Sequence, residues 1–409
     1  MADQDQGSWV IVGTLFATLF FIWGPVNASG VFFLPVVKHF GWSRALLSGL
    51  VSAAPLAAGI TSPLIGSLLD RVGARKVMVA GVAMVAAAYV ALSRANSALV
   101  FLLIFILLGA GITASTIIPT ALVITRRFRE RRGTALGIAF AGIPLGGTAI
   151  SVWANYVVRH FGFRAGYFVM AIPMLVLVIP ALLMFLRVHR GHDGVREQTS
   201  QSAQPGLEVR EALRTRSFWM IAIAEVLFAT AGVGIRVHLV PFLTGAGYSP
   251  TVAAEMFGVM FIFSAIGSFA IGPFADRIGG RNTLSLVFAA AAVGIAALFG
   301  AGHVVAVVAF ILIFGLVRET PALLLPIAVG ESLGTRRLGS LLGIQAFFTT
   351  LGFAAGPVIA GKIFDATGSY AAAIVLFVAM ALISALAIRA ALPLSKEGER
   401  SVIGEPAAA

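Results

Sequence analysis

Long apolar runs alternate with short polar turns along almost the whole chain. Twelve can be marked, at 9–36, 43–66, 77–95, 97–123, 134–158, 164–187, 217–243, 250–274, 283–301, 303–329, 338–361 and 369–391. About 20 apolar residues at a rise of 1.5 Å each cross roughly 30 Å of hydrocarbon. Each run therefore predicts a transmembrane helix. Only one polar stretch is long, VHRGHDGVREQTSQSAQPGLEVREALRTR at 188–216. Its first part is rich in Ser, Gln, Gly and Pro and its second part is helical in pattern, which predicts a linker with a short amphipathic helix at the membrane interface. The expected organisation is an N-terminal six-helix bundle over 1–187, the linker over 188–216, a C-terminal six-helix bundle over 217–391 and a tail over 392–409.

The polar turns repeat. GSLLDRVGARK at 66–76 returns as GPFADRIGGRN at 272–282, an offset of 206 residues. The same offset pairs Pro35, Gly41 and Ser43 with Pro241, Gly247 and Ser249. It also pairs Gly133, Gly137 and Ile138 with Gly339, Gly343 and Ile344, and Gly162 with Gly368. Six crossings return the chain to its starting side, so the halves are parallel repeats, and two such bundles can rock about a site between them. The fold class is an all-α membrane protein of twelve helices in two parallel-repeat bundles.

Within the repeated turn, Gly66 and Gly272 allow helices to approach closely. Gly73 and Gly279 punctuate the turn, and Asp70, Arg71 and Arg75, with Asp276, Arg277 and Arg281, place charges where helix termini need partners. A pair of gating latches on one side of the membrane is the functional reading; tight turns that merely carry topogenic charge are the alternative.

Composition agrees with the bilayer: 59% of residues are hydrophobic and 11% charged. The net charge of +12 reports topology. With the N-terminus in the cytoplasm, 21 of the 29 Lys and Arg residues fall on the cytoplasmic side, six on the other, and two inside spans. This is the positive-inside pattern, which places both termini in the cytoplasm and makes anionic lipid, not nucleic acid, the partner of the basic turns. The opening MADQDQGSW lacks a basic n-region, so the first run reads as a retained span. With no cysteine, thiolate chemistry and cysteine metal sites are excluded. No nucleophile cluster, metal-ligand spacing or phosphate loop is present, so neither an enzyme nor a nucleotide-driven pump is expected, and neither cofactor nor metal.

The repeated turns resemble the G-x-L-x-D-R-x-G-R-[KR] loop of the major facilitator superfamily, and the spans, linker and repeat extend the resemblance over the whole chain. GSWVIVGTLFATLFFIWGPVNASGVFFLPVVKHFGWSR is similar to the monocarboxylate porter signature, with G-V-F-F followed by F-G-W-S. RRFRERRGTALGIAFAGIPLGG and GFAAGPVIAGKIFDATGSY are similar to that branch in the fifth and eleventh spans. The branch also holds oxalate/formate-type exchangers. The resemblance implies a secondary transporter, monomeric, multi-pass in a bacterial cytoplasmic (inner) membrane, carrying a small organic anion by proton symport or anion exchange. Two branch features differ. Leu34 follows G-V-F-F where a Lys is frequent, and Ser268 stands in the eighth span where an Arg is frequent.

Charges inside spans are expensive and mark function. Arg318 lies mid-span in LVRETPALLLP and Arg236 in GVGIRVHLVP. The resemblance places spans one, four, seven and ten around the central cavity, so both arginines become a relocated anion site; a guanidinium stays charged and can fork onto a carboxylate. Arg236 could instead snorkel to the interface. Arg318 could pair with Glu225 or Glu319, although adjacent residues on a helix are splayed by about 100°, which leaves Glu319 poorly placed to neutralise it alone. Glu225 and Glu319 are the candidates for proton coupling, or they satisfy the arginines. His238 is a further ligand candidate or a packed, hydrogen-bonded histidine. Asn27, Thr116 and Gln345 supply uncharged hydrogen bonds, unless the hydroxyl bonds its own helix. An apolar-to-polar wall facing two cations suits an organic anion with an apolar body. The alternative is a proton-coupled exporter of hydrophobic or cationic compounds, which would use Glu225 or Glu319 as its acid.

Overall fold

The computed structural model describes residues 2–128, 131–186 and 206–394. Arg129, most of the expected linker and the tail beyond 394 lie outside them. Among the described residues every regular element is helical, apart from one antiparallel bridge between Gly206 and Gly334.

The first span is built from Ala2–Asn27 and Ser29–Phe40, the second is Arg44–Val72, the third Ala74–Leu92, and the fourth Ala98–Ser115 with Ile117–Arg127. Arg132–Phe185 runs on for 54 residues. A straight helix of that length would extend about 80 Å, well over twice the hydrocarbon thickness. Gly162, at φ 82° and ψ 167°, breaks it into spans five and six. The second half contains Arg216–Gly245, Pro250–Ile278, Gly280–Ala297, Val304–Val317 with Pro321–Leu333, Leu338–Thr367 and Ala371–Ala390. The described residues thus make the twelve crossings that the hydropathy pattern predicts.

The 206-residue repeat holds at the level of single contacts. Gly41 and Gly247, Gly73 and Gly279, and Gly162 and Gly368 all have positive φ, the conformation that a Cβ disfavours. Ser43 caps the second span by accepting from the Leu46 N–H at 3.1 Å, and Ser249 caps the eighth from Val252 at 3.3 Å.

The halves meet at the end that carries the repeated turns. Spans two and eleven pack there, as do spans five and eight. A Cβ on Gly66 would stand 2.2 Å from the Gly339 carbonyl oxygen, and one on Gly272 would stand 2.3 Å from that of Gly133. The second tier is also exchanged: a Cβ on Gly343 would stand 2.3 Å from the Ser62 oxygen, and one on Gly137 2.4 Å from that of Ser268. Backbone cannot yield as a side chain can. Gly66→Ala should therefore disfavour the closed end by about 1–3 kcal/mol, the usual range for overpacking. Gly13→Ala, whose Cβ would meet nothing within 4 Å, should be neutral. Thiol accessibility of a cysteine introduced at this end would rise in the first variant only; no rise in Gly66→Ala would mean that the contact does not hold this end shut.

The described remnant of the linker docks on the turn between spans ten and eleven. Leu207 N–H donates to the Leu333 carbonyl at 3.0 Å, and Glu208 pairs with Arg336 at 3.1 Å and Arg337 at 2.9 Å. Hydrogen bonding from Arg337 holds the Glu208 carboxyl below its ordinary range. Among the described residues, the part of the linker expected to form an amphipathic helix holds the single turn Val209–Ala212, with Glu208 and Glu211 forming a reciprocal cap.

Candidate functional site

Spans four and ten are both broken near their centres, within about one helical turn of each other in the repeat. In the fourth, Thr116 leaves the helix with φ −117° and ψ −105°. In the tenth, Arg318, Glu319 and Thr320 form a turn before Pro321, and the two segments bend by 45°. Proline has no N–H to continue the ladder; Thr320 instead donates its N–H and hydroxyl to the Val317 carbonyl at 3.2 and 2.8 Å. Irregular backbone at this depth is tolerated where it lines a cavity. Both breaks do so.

The cavity between the halves has a volume of about 510 Å³. Its charged lining is Arg236, Arg318, Glu319 and Glu225. The Arg318 Nε and Nη2 donate to Glu319 Oε1 at 2.9 and 2.6 Å, and Arg318 stacks over the Phe261 ring at 4.5 Å. The expectation that Glu319 is poorly placed for Arg318 is corrected: Arg318 and Thr320 keep helical φ and ψ, and the long arginine side chain folds back to reach Glu319 in spite of the splay. The Arg318 side chain is only 5% exposed, whereas Arg236 is 41% exposed and stands 3.9 Å from Glu319. Arg236 is therefore the more exposed of the two guanidinium groups on the cavity wall. Glu225 is buried on the same wall, and its Oε1 has no hydrogen-bond partner.

Six Ser and Thr residues line the cavity. Each donates its hydroxyl to a helix carbonyl: Ser52 to Ser48, Ser62 to Gly59 and Gly343, Thr113 to Ala58 and Gly109, Thr116 to Ile112, Thr349 to Gln345 and Thr350 to Ala346. The Thr116 hydroxyl thus serves its own helix at 2.7 Å. Three other sequence candidates do not line the cavity. Asn27 ends its helix against Gly147. Gln345 is buried and donates to the Phe218 carbonyl at 3.2 Å. His238 links span seven to the Pro357 carbonyl and the Tyr370 hydroxyl, both at 3.0 Å, and so ties helices within one half. Phe261, Thr349 and Thr350 went unnoticed in the sequence, since an aromatic or hydroxyl in an apolar span carries no mark of the side it faces.

At the closed end the two aspartates exchange partners between the halves. Asp276 accepts from the Gly133 and Thr134 N–H groups and the Thr134 hydroxyl; Asp70 accepts from the Gly339 and Ser340 N–H groups and the Ser340 hydroxyl. Each carboxylate sits at the N-terminus of a helix, where unpaired N–H groups favour an anion. Asp70 also holds Arg126 at 3.1 Å. Arg71 and Arg277 are exposed, the Arg75 side chain bonds the Leu183 carbonyl at 2.7 Å, and the Arg281 N–H, with that of Gly280, caps onto Glu331.

Two sets of crossings around one cavity, sealed at one end by reciprocal carboxylate contacts, define a membrane transporter. The profile of the Major Facilitator Superfamily matches residues 14–324 and, in a second overlapping match, 239–408, and the chain belongs to that superfamily. It is 27% identical to monocarboxylate transporter 13 of Bos taurus over 383 residues, 91% of this chain and 87% of that one. It is 28% identical to YcxA of Bacillus subtilis (strain 168), an uncharacterized MFS-type transporter, over 84% of this chain and 85% of that one. The fucose:proton symporter of E. coli superposes with a TM-score of 0.72 at 14% identity, covering 92% and 98% of the two chains, a likeness of fold alone. The protein is a multi-pass membrane transporter and not an enzyme.

Proposed function

We propose that this protein carries a small organic anion, a monocarboxylate, by alternating access with proton symport, in the cytoplasmic membrane of a bacterium. Both termini face the cytoplasm in this reading, and the two bundles, over 1–187 and 217–391, rock about the cavity. The sealed end is then cytoplasmic and the cavity faces outward.

One observation carries the reading. Arg318 is committed to Glu319, while Arg236 stands half-exposed on the cavity wall with its nearest acid at 3.9 Å. The charges Arg236, Arg318 and Glu319 leave one positive charge when Glu225 carries a proton, and an incoming carboxylate neutralises it. Proton and anion then cross together. Anion exchange needs no proton on Glu225, so exchange is the variant in which Glu225 has no role. The monocarboxylate transporters among its relatives support the substrate class.

The test is carboxylate-dependent thermal stabilisation, since a ligand of the native state stabilises it by mass action. Arg236→Gln should weaken binding of the carboxylate about tenfold to a hundredfold, as expected for the loss of one or two charge-assisted hydrogen bonds. Glu225→Gln should preserve binding but abolish proton movement with substrate in proteoliposomes. The unpartnered oxygen of Glu225 favours a second reading, export of lipophilic cations. Stabilisation by cations alone, lost in Glu225→Gln and retained in Arg236→Gln, would put that reading first.

A further inference from the structure

The cavity wall contributed by span seven has a regular stripe. Glu225, Ala229, Gly232, Val233 and Arg236 all line it, at the spacing of one helix face. From Arg236 the stripe descends for about 16 Å to Glu225. Between the charges the stripe carries Ala229, Gly232 and Val233, with the Phe228 ring at its flank. Gly232 lies one turn below Arg236, and a Cβ there would meet only the Phe314 ring, at 4.0 Å. Gly59 across the cavity differs, because a Cβ there would collide with Thr350 at 2.5 Å. The space at Gly232 is open.

We infer that the substrate is a bulky, apolar monocarboxylate, such as an aryl-alkanoate or a branched medium-chain acid, with its carboxylate on Arg236 and its body over Gly232 and Ala229. This rests on the anion reading proposed above and deepens it.

Three further observations point the same way. First, Arg236 is the open cation, so one carboxylate is accommodated, and a second group extended down the stripe would meet Glu225. Second, all six hydroxyls on the wall already donate to helix carbonyls. The wall has no hydroxyl donor left, and its two unpartnered N–H groups, Trp23 Nε1 and Arg318 Nη1, are themselves buried, so few exposed donors await a keto or carboxyl oxygen away from Arg236. Third, the volume is about 510 Å³. An acid such as lactate displaces about as much as three waters, roughly 90 Å³, and would leave the half-buried Val26, Val51 and Val233 facing water. An aryl or branched body removes that apolar surface from water, the main source of ligand affinity in such cavities.

The experiment is calorimetric and thermal-shift titration of the purified full-length protein with 4-phenylbutyrate, lactate, succinate and the neutral 4-phenylbutanamide. Phenylbutyrate should bind at least about tenfold more tightly than lactate, as burial of a phenyl group predicts. Gly232→Leu should lower the ratio of phenylbutyrate to lactate affinity by at least about tenfold, and Gly232→Ala by less, which keeps the test usable if leucine impairs folding. Lactate binding as tightly as phenylbutyrate, or a ratio unmoved by both variants, overturns this inference and leaves the anion reading intact provided Arg236→Gln weakens carboxylate binding at least about tenfold. Equal binding of the amide and the acid, indifferent to Arg236→Gln, overturns both.

Discussion

Asparagine in place of Asp276 should unlatch the sealed end while the protein still folds. The Asp276 carboxylate receives three hydrogen bonds, all from Gly133 and Thr134 in the other half, and two come from N–H groups at the start of the fifth span. Asparagine keeps one acceptor oxygen and loses both the charge and the second acceptor. Charge-assisted hydrogen bonds contribute about 1.5–3 kcal/mol each, and the helix N-terminus adds a smaller attraction. A net loss of about 3 kcal/mol moves a two-state equilibrium roughly a hundredfold. Since these bonds run between the halves, the change falls on the balance of closed and open ends more than on the stability of either half.

Because the native chain has no cysteine, spin labels at Lys76→Cys and Arg277→Cys would report the separation of the halves without background. The variant should show a longer-distance population that is minor in the parent. Identical distance distributions would show that Asp276 is not a latch. Asp70→Asn should go further and lower Tm as well, because Asp70 is 3% exposed and also neutralises Arg126.

Arg318→Gln should be the most destabilising change in the cavity. It leaves Glu319 with only the distant Arg236 and removes the cation that stacks on Phe261. Breaking a buried pair from one side typically costs about 3–5 kcal/mol, whereas removing both partners is far milder. The double variant Arg318→Gln/Glu319→Gln should therefore recover most of the lost stability, and a double-mutant cycle measured by unfolding in mixed micelles should give a coupling of about 2 kcal/mol or more. A single variant as stable as the parent would mean that the pair is not structural, and Arg318 would return to candidacy as the primary anion ligand.

This last case separates what was legible from what was not. Arg318, Glu319, Arg236 and Glu225 stand out in the sequence because a charge inside an apolar run has few explanations. Their pairing does not. The helical splay that discounts Glu319 as a partner is overcome by the length of the arginine side chain, which folds back onto it. Asn27, Gln345 and His238 are polar residues within spans just as Thr116 is, yet only Thr116 reaches the cavity. In a soluble helix the polar face declares which side is buried. Here the lipid-facing side is as apolar as the packed one, so no periodicity marks the wall of the cavity.

The number of crossings, the two parallel halves, the repeated turns and the superfamily can all be read along the chain. These follow from local hydropathy and from glycines and aspartates held at one offset, and local properties are written residue by residue along the chain. Tertiary structure alone decided that Asp70 and Asp276 reach across to each other's half, that Arg318 is spent on Glu319 while Arg236 stays open, and that the cavity hydroxyls are already bonded. Those outcomes depend on which faces of twelve almost uniformly apolar helices meet, and close packing at Gly66, Gly133, Gly272 and Gly339 settles that only when both halves are assembled.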